Sequence, residues 1–186
     1  ARSHNVYPAP PMKSEDGIAA VALGLGRTVV EGDACLRFCP RYPRHALAFF
    51  SPETFLGNSQ REFYALDLTR RGTPAGPEGA ELTRLGLEEA EADGTLAFVG
   101  STYSPEDHSI SDGLARPGVR LVSFAPILKH RLFPLAELLD MLLGIGRYGT
   151  GTDVEIEFAV NLSVPAGHPP EFGFLQMRPL AMAGPM

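Results

Sequence analysis

The clearest pattern of hydrophobic and polar positions in this chain is a strict alternation over residues 153–161. Three acidic residues take every second position, namely Asp153, Glu155 and Glu157. The positions between them are apolar: Val154, Ile156, Phe158 and Val160. Because successive side chains of a strand point to opposite faces, this alternation predicts a strand with one packed face and one acidic face.

A second strand is predicted over residues 172–179, after a loop rich in Pro and Gly. One of its faces is expected to carry Phe174, Gln176 and Arg178, and the other Leu175 and Met177. Two strands joined by a moderate loop most simply pair antiparallel. A register symmetric about the loop places Glu157 opposite Gln176 and Glu155 opposite Arg178. Two carboxylates, an amide and a guanidinium would then share one sheet face.

The remaining apolar runs predict short strands and a few helices. Strands are expected over 18–23, 35–38, 61–68, 96–99 and 119–124. A short acidic helical stretch is expected within 81–92, ended by Asp93-Gly94. A helix is expected over 134–148, with Pro134 at its first position and Gly149 as its stop. Irregular structure is expected over 1–16, 71–80 and 104–117. The predicted class is α+β, mostly antiparallel sheet with a few helices, organised as a single lobe over 1–186 with an elaboration near 71–117.

Composition and charge narrow the possible functions. The chain has 186 residues, 44% of them apolar and 20% charged, which is typical of one ordered globular domain. Its net charge of −6 argues against a nucleic-acid partner and against a polybasic membrane contact. The cysteines, Cys35 and Cys39, have no second Cys or His cluster nearby, so a structural zinc site is not expected. Free, semi-buried thiols and a cytoplasmic location are predicted instead.

The predicted acidic face has the chemistry of a magnesium nucleotide site. Mg²⁺ takes one or two carboxylates together with phosphate oxygens and water, and an Arg fork matches a phosphate. The alternative is a solvated sheet face, on which a Glu155–Arg178 pair contributes about 0.2–1 kcal/mol.

A turn at Gly24-Leu25-Gly26 is a second candidate site, because it follows a predicted buried strand. The turn lacks the third glycine of a dinucleotide fingerprint and the spacing of a phosphate-binding P-loop. A tight turn without a ligand is the alternative.

Three segments resemble the nucleotide-binding domain of phosphoenolpyruvate synthase and pyruvate phosphate dikinase. Residues 154–159 followed by 174–179 resemble the closing signature D-I-E-W-A … L-x-x-L-Q-x-R-P of that domain. Residues 24–32 resemble its segment G-L-G-E-x-V-V-x-G, and residues 1–5 look like the end of its segment G-V-A-F-[ST]-R-N. The chain departs from the family at Arg2, His4, Arg27 and Phe158.

The resemblance implies an ATP-grasp-like lobe and assigns roles to individual residues. Glu157 and Gln176 would hold Mg²⁺, and Arg178 would contact the phosphate being transferred as the catalytic residue. The nucleotide-binding residues implied are Gly24, Leu25, Gly26, Glu155, Gln176 and Arg178. The cofactors expected are ATP and Mg²⁺.

The resemblance also implies a reaction and partners. The parent enzymes move a phosphoryl group from ATP to an enzyme histidine and on to pyruvate. The chain is expected to be the C-terminal part of the nucleotide domain, with the first lobe, the phosphohistidine domain and the pyruvate-binding domain supplied from outside it. The alternatives are a non-catalytic nucleotide-sensing domain, indicated by the departures at Arg2 and Arg27, and a structural domain with a solvated acidic face.

Overall fold

Residues 1–48, 51–66 and 82–180 are described in a computed structural model, and they contain helices and small antiparallel sheets in near-equal amounts. About 30% of the described residues are helical and 31% lie in strands. The predicted α+β class is therefore confirmed. The loop expected over 71–80 lies outside the described residues.

The strands and helices of the described residues have the following bounds. The strands are β1 (Ala19–Val21), β2 (Leu36–Phe38), β3 (Glu62–Leu66), β4 (Leu82–Gly86), β5 (Gly100–Ser104), β6 (Ser109–Asp112), β7 (Val119–Val122), β8 (Val154–Asn161) and β9 (Glu171–Pro179). The helices are α1 (Arg27–Glu31), α2 (His45–Ala48), α3 (Pro52–Asn58), α4 (Leu87–Ala92), α5 (Ala125–Leu128) and α6 (Leu135–Thr150). Short 3₁₀ helices lie at Ser14–Asp16 and Thr95–Phe98.

The chain divides into two compact units, which are described separately. The described residues of the first unit are 1–20, 37–48 and 127–180, and those of the second are 21–36, 51–66 and 82–126. The single lobe over 1–186 and the elaboration near 71–117 stay predictions.

In the first unit, helix α6 packs on the β8–β9 hairpin. Leu143 of the helix and Val154 and Ile156 of β8 form a buried apolar cluster. The helix approaches closely because Gly146 has no side chain, since a Cβ there would lie 2.8 Å from Val154 Cγ2 and 2.9 Å from Met177 Sδ. The apolar face predicted for β8 therefore packs where the alternation placed it.

The predicted helix over 134–148 is confirmed, but both of its end signals were misplaced. Pro134 precedes the first helical residue, and Gly149 lies within the last turn of α6. The helix ends at Gly151, which adopts a left-handed conformation with φ of 68° and donates its N–H to the carbonyl of Arg147. Glycine is favoured there because a side chain is strained at positive φ.

The pairing predicted for the hairpin is confirmed, including its register. Strands β8 and β9 run antiparallel, with Glu155 opposite Arg178 and Glu157 opposite Gln176. One detail was wrong, because a β-bulge leaves Leu175 unpaired and places Phe174 opposite Phe158 instead of on the face of Gln176 and Arg178.

In the second unit, the short acidic helical stretch expected within 81–92 is present as α4, which covers Leu87–Ala92 and ends at Asp93. The residues before it, Leu82–Gly86, form β4, which pairs antiparallel with β3. This pairing satisfies the backbone N–H and C=O groups of a segment that has no acidic residue.

The strand expected over 96–99 is instead a 3₁₀ helix, and strand β5 begins only at Gly100. Leu96 is fully buried, and a Cβ at Gly100 would lie 2.7 Å from the Leu96 carbonyl oxygen. The absence of a side chain at residue 100 permits this close approach to Leu96.

Strand β5 pairs antiparallel with both β6 and β7, so it is the central strand of a three-stranded sheet. Strand β6 falls in the segment 104–117 that was expected to be irregular. The strands expected over 18–23, 35–38 and 119–124 are present as the shorter β1, β2 and β7, and the strand expected over 61–68 is present as β3. Residues 67 and 68 of that prediction lie outside the described residues.

Candidate functional site

The acidic face of the β8–β9 hairpin carries a row of three charged side chains centred on Glu155. Arg178 lies opposite Glu155 and donates from Nε to Oε2 at 3.0 Å, with Nη2 at 2.9 Å from the same oxygen. On the other side, Arg2 donates from Nε to Glu155 Oε1 at 2.9 Å. Each carboxylate oxygen of Glu155 is therefore bound by a different guanidinium.

Arg2 reaches this face because residues 1–3 run along the free edge of β8. Ser3 donates its N–H to the Val154 carbonyl at 2.9 Å, and Ile156 donates its own to the carbonyl of Ala1 at 2.7 Å. Arg2 forms an antiparallel bridge with Glu155 and a second one with Ile18. Directly paired residues share a sheet face, so the backbone fixes Arg2 beside Glu155.

Arg2 is not among the site residues predicted from the sequence, because residues 1–16 were expected to be irregular. The only signal that bears on it is the resemblance of residues 1–5 to a family segment, from which Arg2 departs. Its position depends on contacts with residues about 150 positions away, namely Asp153, Val154 and Glu155.

Electrostatics keep the Glu155 carboxylate ionised. Burial raises the pKa of Glu155, but hydrogen bonds and charge from Arg2 and Arg178 outweigh burial and leave the pKa below its ordinary value. Its side chain is only 19% exposed, so both guanidiniums act at short range in a partly desolvated setting.

Glu157 and Gln176 form the next row of the hairpin face. They lie directly opposite each other, and both are exposed. Glu157 Oε1 is 3.9 Å from Arg178 Nη2, so the carboxylate is not held by a short ion pair with that arginine. A carboxylate and an amide oxygen on neighbouring strands are two oxygen donors of the kind that Mg²⁺ accepts.

The donor set fits a magnesium ion only if other oxygens complete it. Across residues 1–48, 51–66 and 82–180 there is no group of three or more His, Cys, Asp or Glu that could hold a metal. Glu157 and Gln176 supply two ligands, and Mg²⁺ in proteins commonly takes its remaining ligands from water and substrate phosphates.

Asp153 lies at the end of this face, next to the row of side chains centred on Glu155. It accepts a hydrogen bond from Ser3 Oγ at 2.8 Å and forms an ion pair with Arg147 at 3.3 Å. His4 Nδ1 is 3.5 Å from Asp153 Oδ2. These contacts tie residues 3 and 4 to the start of β8 and so support the placement of Arg2.

The glycine turn predicted as a nucleotide contact lies in the second unit, at the start of α1. Leu25 donates its N–H to the Tyr64 carbonyl at 2.9 Å, and Gly24 has φ of 84°. A Cβ on Gly24 would lie 2.7 Å from that carbonyl oxygen, so packing against β3 accounts for this glycine. Gly26 faces open space and has φ of −63°.

Arg27, which departs from the family segment, is held locally. Its Nε donates to Glu31 Oε1 at 2.6 Å, and its guanidinium lies 5.2 Å from the centre of the Tyr64 ring. Tyr64 in turn donates its hydroxyl to Glu31 Oε2 at 3.0 Å. The hydrogen bond to Glu31 raises the pKa of Tyr64.

The prediction of free, semi-buried thiols is confirmed. Cys35 is half-buried and Cys39 is buried, and neither forms a disulfide. Cys39 Sγ donates to the Asp16 carbonyl at 3.5 Å, and burial raises the pKa of its thiol.

Within the part of the chain that the structure describes, no helix combines the length and the apolar character needed to cross a membrane.

The site thus gathers Glu155, Glu157, Gln176 and Arg178 on one hairpin face and adds Arg2, while Gly24, Leu25 and Gly26 belong to the other unit.

A search of protein-family models, of curated proteins and of solved structures finds nothing that matches this chain.

Proposed function

We propose that this chain is the ATP-binding part of a phosphotransferase that moves a phosphoryl group from ATP to an enzyme histidine and then to pyruvate. The observation that carries the proposal is the hairpin register, with Glu157 opposite Gln176 and Glu155 opposite Arg178. This register collects on one face the residues that the phosphoenolpyruvate synthase resemblance assigns to metal and phosphate. An ATP-grasp-like lobe is the finer fold proposed with it.

The proposed roles follow from the donors that each side chain offers. Glu157 and Gln176 would supply two oxygen ligands to Mg²⁺, which when bound neutralises phosphate charge. Arg178 is 55% exposed and uses Nε and Nη2 toward Glu155, so the rest of its guanidinium faces solvent and can contact a phosphate. Glu155 holds that guanidinium in place.

These proposed roles suit phosphoryl transfer, in which the protein contributes mainly positioning and charge stabilisation. The hairpin face holds carboxylates, an amide and guanidiniums, and these groups orient phosphates without forming a covalent bond to them. The phosphoryl acceptor would be a histidine of a separate domain, and a first lobe and a pyruvate-binding domain complete the set of proposed partners.

A titration of the ¹⁵N-labelled chain with Mg·ATP tests this proposal. We expect weak, millimolar binding with amide shifts concentrated in residues 155–178, because half of the proposed cleft lies outside this chain. Glu157→Gln should weaken the affinity about tenfold, which is about 1.4 kcal/mol. Glu171→Gln is the matched control, since Glu171 is an exposed carboxylate of the same hairpin that only accepts from Asn161 Nδ2 at 3.1 Å.

Two results would overturn the proposal: shifts scattered over the surface at saturating Mg·ATP, or equal affinities for the Glu157 and Glu171 variants.

A nucleotide-sensing domain without transfer activity is the second candidate, and Arg27 is the observation that favours it. In the segment of resemblance an acidic residue stands at this position, whereas the Arg27 guanidinium is bound to Glu31 at 2.6 Å. This candidate predicts Glu157-dependent Mg·ATP binding without phosphorylation of any histidine when the complete protein is incubated with γ-labelled ATP.

A further inference from the structure

We propose that Arg2 is a second oxyanion-binding guanidinium of the hairpin face, which acts together with Arg178 across Glu155 on a diphosphate or triphosphate group. The inference rests on the proposed function only for the identity of the ligand as a nucleotide. The pairing of the two arginines rests on the contacts of Glu155 alone. Arg2 is also a position at which the chain departs from the family that it resembles.

Two guanidiniums flank the Glu155 carboxylate. Arg2 binds Oε1 through Nε at 2.9 Å, and Arg178 binds Oε2 through Nε at 3.0 Å and Nη2 at 2.9 Å. The side chains of the two arginines are 54% and 55% exposed. Two oriented forks, each partly open to solvent and on the same sheet face, match a ligand with several linked oxyanions.

The backbone of Arg2 is fixed by a β-bridge to Ile18. The Arg2 N–H donates to the Ile18 carbonyl at 2.7 Å, and the Arg2 carbonyl accepts from the Ile18 N–H at 2.9 Å. Ser3, the next residue, is 1% exposed and donates from Oγ to Asp153. The Arg2 backbone is therefore already ordered before a ligand binds. Little conformational entropy of this segment would be lost on ligand binding.

The charges on the face favour a polyanion once Arg2 is counted. Asp153, at the end of this face, forms an ion pair with Arg147. Glu155 and Glu157 each carry a negative charge, so with Arg178 these three side chains sum to −1. Arg2 brings the sum of the four side chains to zero, beside the carboxylate that is bound to Arg178. A polyanion can approach Arg178 because the positive charge of Arg2 offsets the negative charge of the Glu155 carboxylate.

The experiment uses inorganic tripolyphosphate without metal or nucleoside, followed through the arginine Nε–Hε resonances of the whole chain. We expect the Arg2 and Arg178 resonances to shift together with one dissociation constant. Arg2→Gln should weaken tripolyphosphate affinity about five- to tenfold. Arg2→Lys should give an intermediate loss, because it keeps the charge and loses the fork. Arg116→Gln, which removes an exposed arginine of the second unit, should leave affinity within about twofold.

The inference is overturned if the Arg2 resonance stays still while that of Arg178 moves, or if the Arg2 and Arg116 variants lose equal affinity. The resonance measurement uses the unmodified chain, so it decides the question even where Arg2→Gln fails to fold. If tripolyphosphate binds both arginines but Mg·ATP binding does not depend on Glu157, the nucleotide proposal fails and this one stands. If Mg·ATP binding depends on Glu157 but tripolyphosphate does not shift the Arg2 resonance, only this inference fails.

Discussion

Glu155 and Arg178 face each other across strands β8 and β9, and the guanidinium holds Oε2 of the carboxylate at 2.9 and 3.0 Å. The other oxygen is held by Arg2 at 2.9 Å. This relationship links the β8–β9 hairpin to residues 1–3, and it organises the face on which the proposed phosphate chemistry depends.

Acid should weaken the first unit through Glu155. Burial raises the pKa of Glu155, but its two arginine partners bring it below its ordinary value. A carboxyl whose pKa is lowered in the folded state contributes stability above its unfolded pKa, near 4.3, and that stability is lost as pH falls through the folded value. The loss is expected to be about 0.5–1 kcal/mol, the scale of a well-aligned ion pair near the surface.

Urea unfolding at a series of pH values below 6 measures this loss. Glu155→Gln should flatten that part of the pH profile, whereas Glu171→Gln should retain it. The Glu155 prediction is wrong if the free energy of unfolding falls equally with decreasing pH in the two variants.

Gly146→Ala should destabilise the first unit by about 1–3 kcal/mol. The added Cβ would lie 2.8 Å from Val154 Cγ2 and 2.9 Å from Met177 Sδ, which forces helix α6 away from the hairpin. The matched control is Gly144→Ala on the same helix, because Gly144 faces open space and alanine favours the helix by about 1 kcal/mol. Opposite signs in thermal unfolding are expected, and a stabilising Gly146→Ala would contradict the close approach.

Gly24→Ala should cost the second unit about 1–3 kcal/mol. Gly24 has φ of 84°, and a Cβ there would lie 2.7 Å from the Tyr64 carbonyl oxygen. Gly26→Ala is expected to change stability by less than about 0.5 kcal/mol, because Gly26 has φ of −63° and open space around it. Denaturant midpoints for the two variants test this, and equal values would show that packing against β3 does not require Gly24.

The two thiols should react at different rates. Cys39 is 4% exposed and burial raises the pKa of its thiol, so it holds little thiolate at neutral pH. Cys35 is half-buried and should be labelled first by a thiol reagent under native conditions. Mass spectrometry of Cys35→Ser and Cys39→Ser chains distinguishes the sites. Rapid labelling of the Cys35→Ser chain before unfolding would contradict the buried position of Cys39.

Local patterns predicted the elements whose partners are near in sequence. The alternation over 153–161 and the second strand after a moderate loop were enough to place Glu157 opposite Gln176, because a short connection and a packed face together restrict the register. The bulge at Leu175 was not predicted, because no local signal marks an unpaired residue between Phe174 and Gln176.

Two segments of the second unit were predicted less well, although their contacts are no more distant in sequence than those of the hairpin. Residues 82–86 lack the alternation that marks a strand, and their pairing with β3 makes them one. Residues 96–98 are apolar enough for a strand, but the burial of Leu96 and the close contact at Gly100 favour a 3₁₀ helix.

By itself, the sequence determined the hairpin and its row of carboxylate, amide and guanidinium, because period-two alternation and loop length are local properties that the backbone must obey. Only the tertiary structure decided that Arg2 joins this row. Residues 1–3 pair with an edge of β8 that lies about 150 residues further along the chain, and no local preference encodes such a contact. It arises from backbone hydrogen bonds to that edge and from the match of one carboxylate to two guanidiniums.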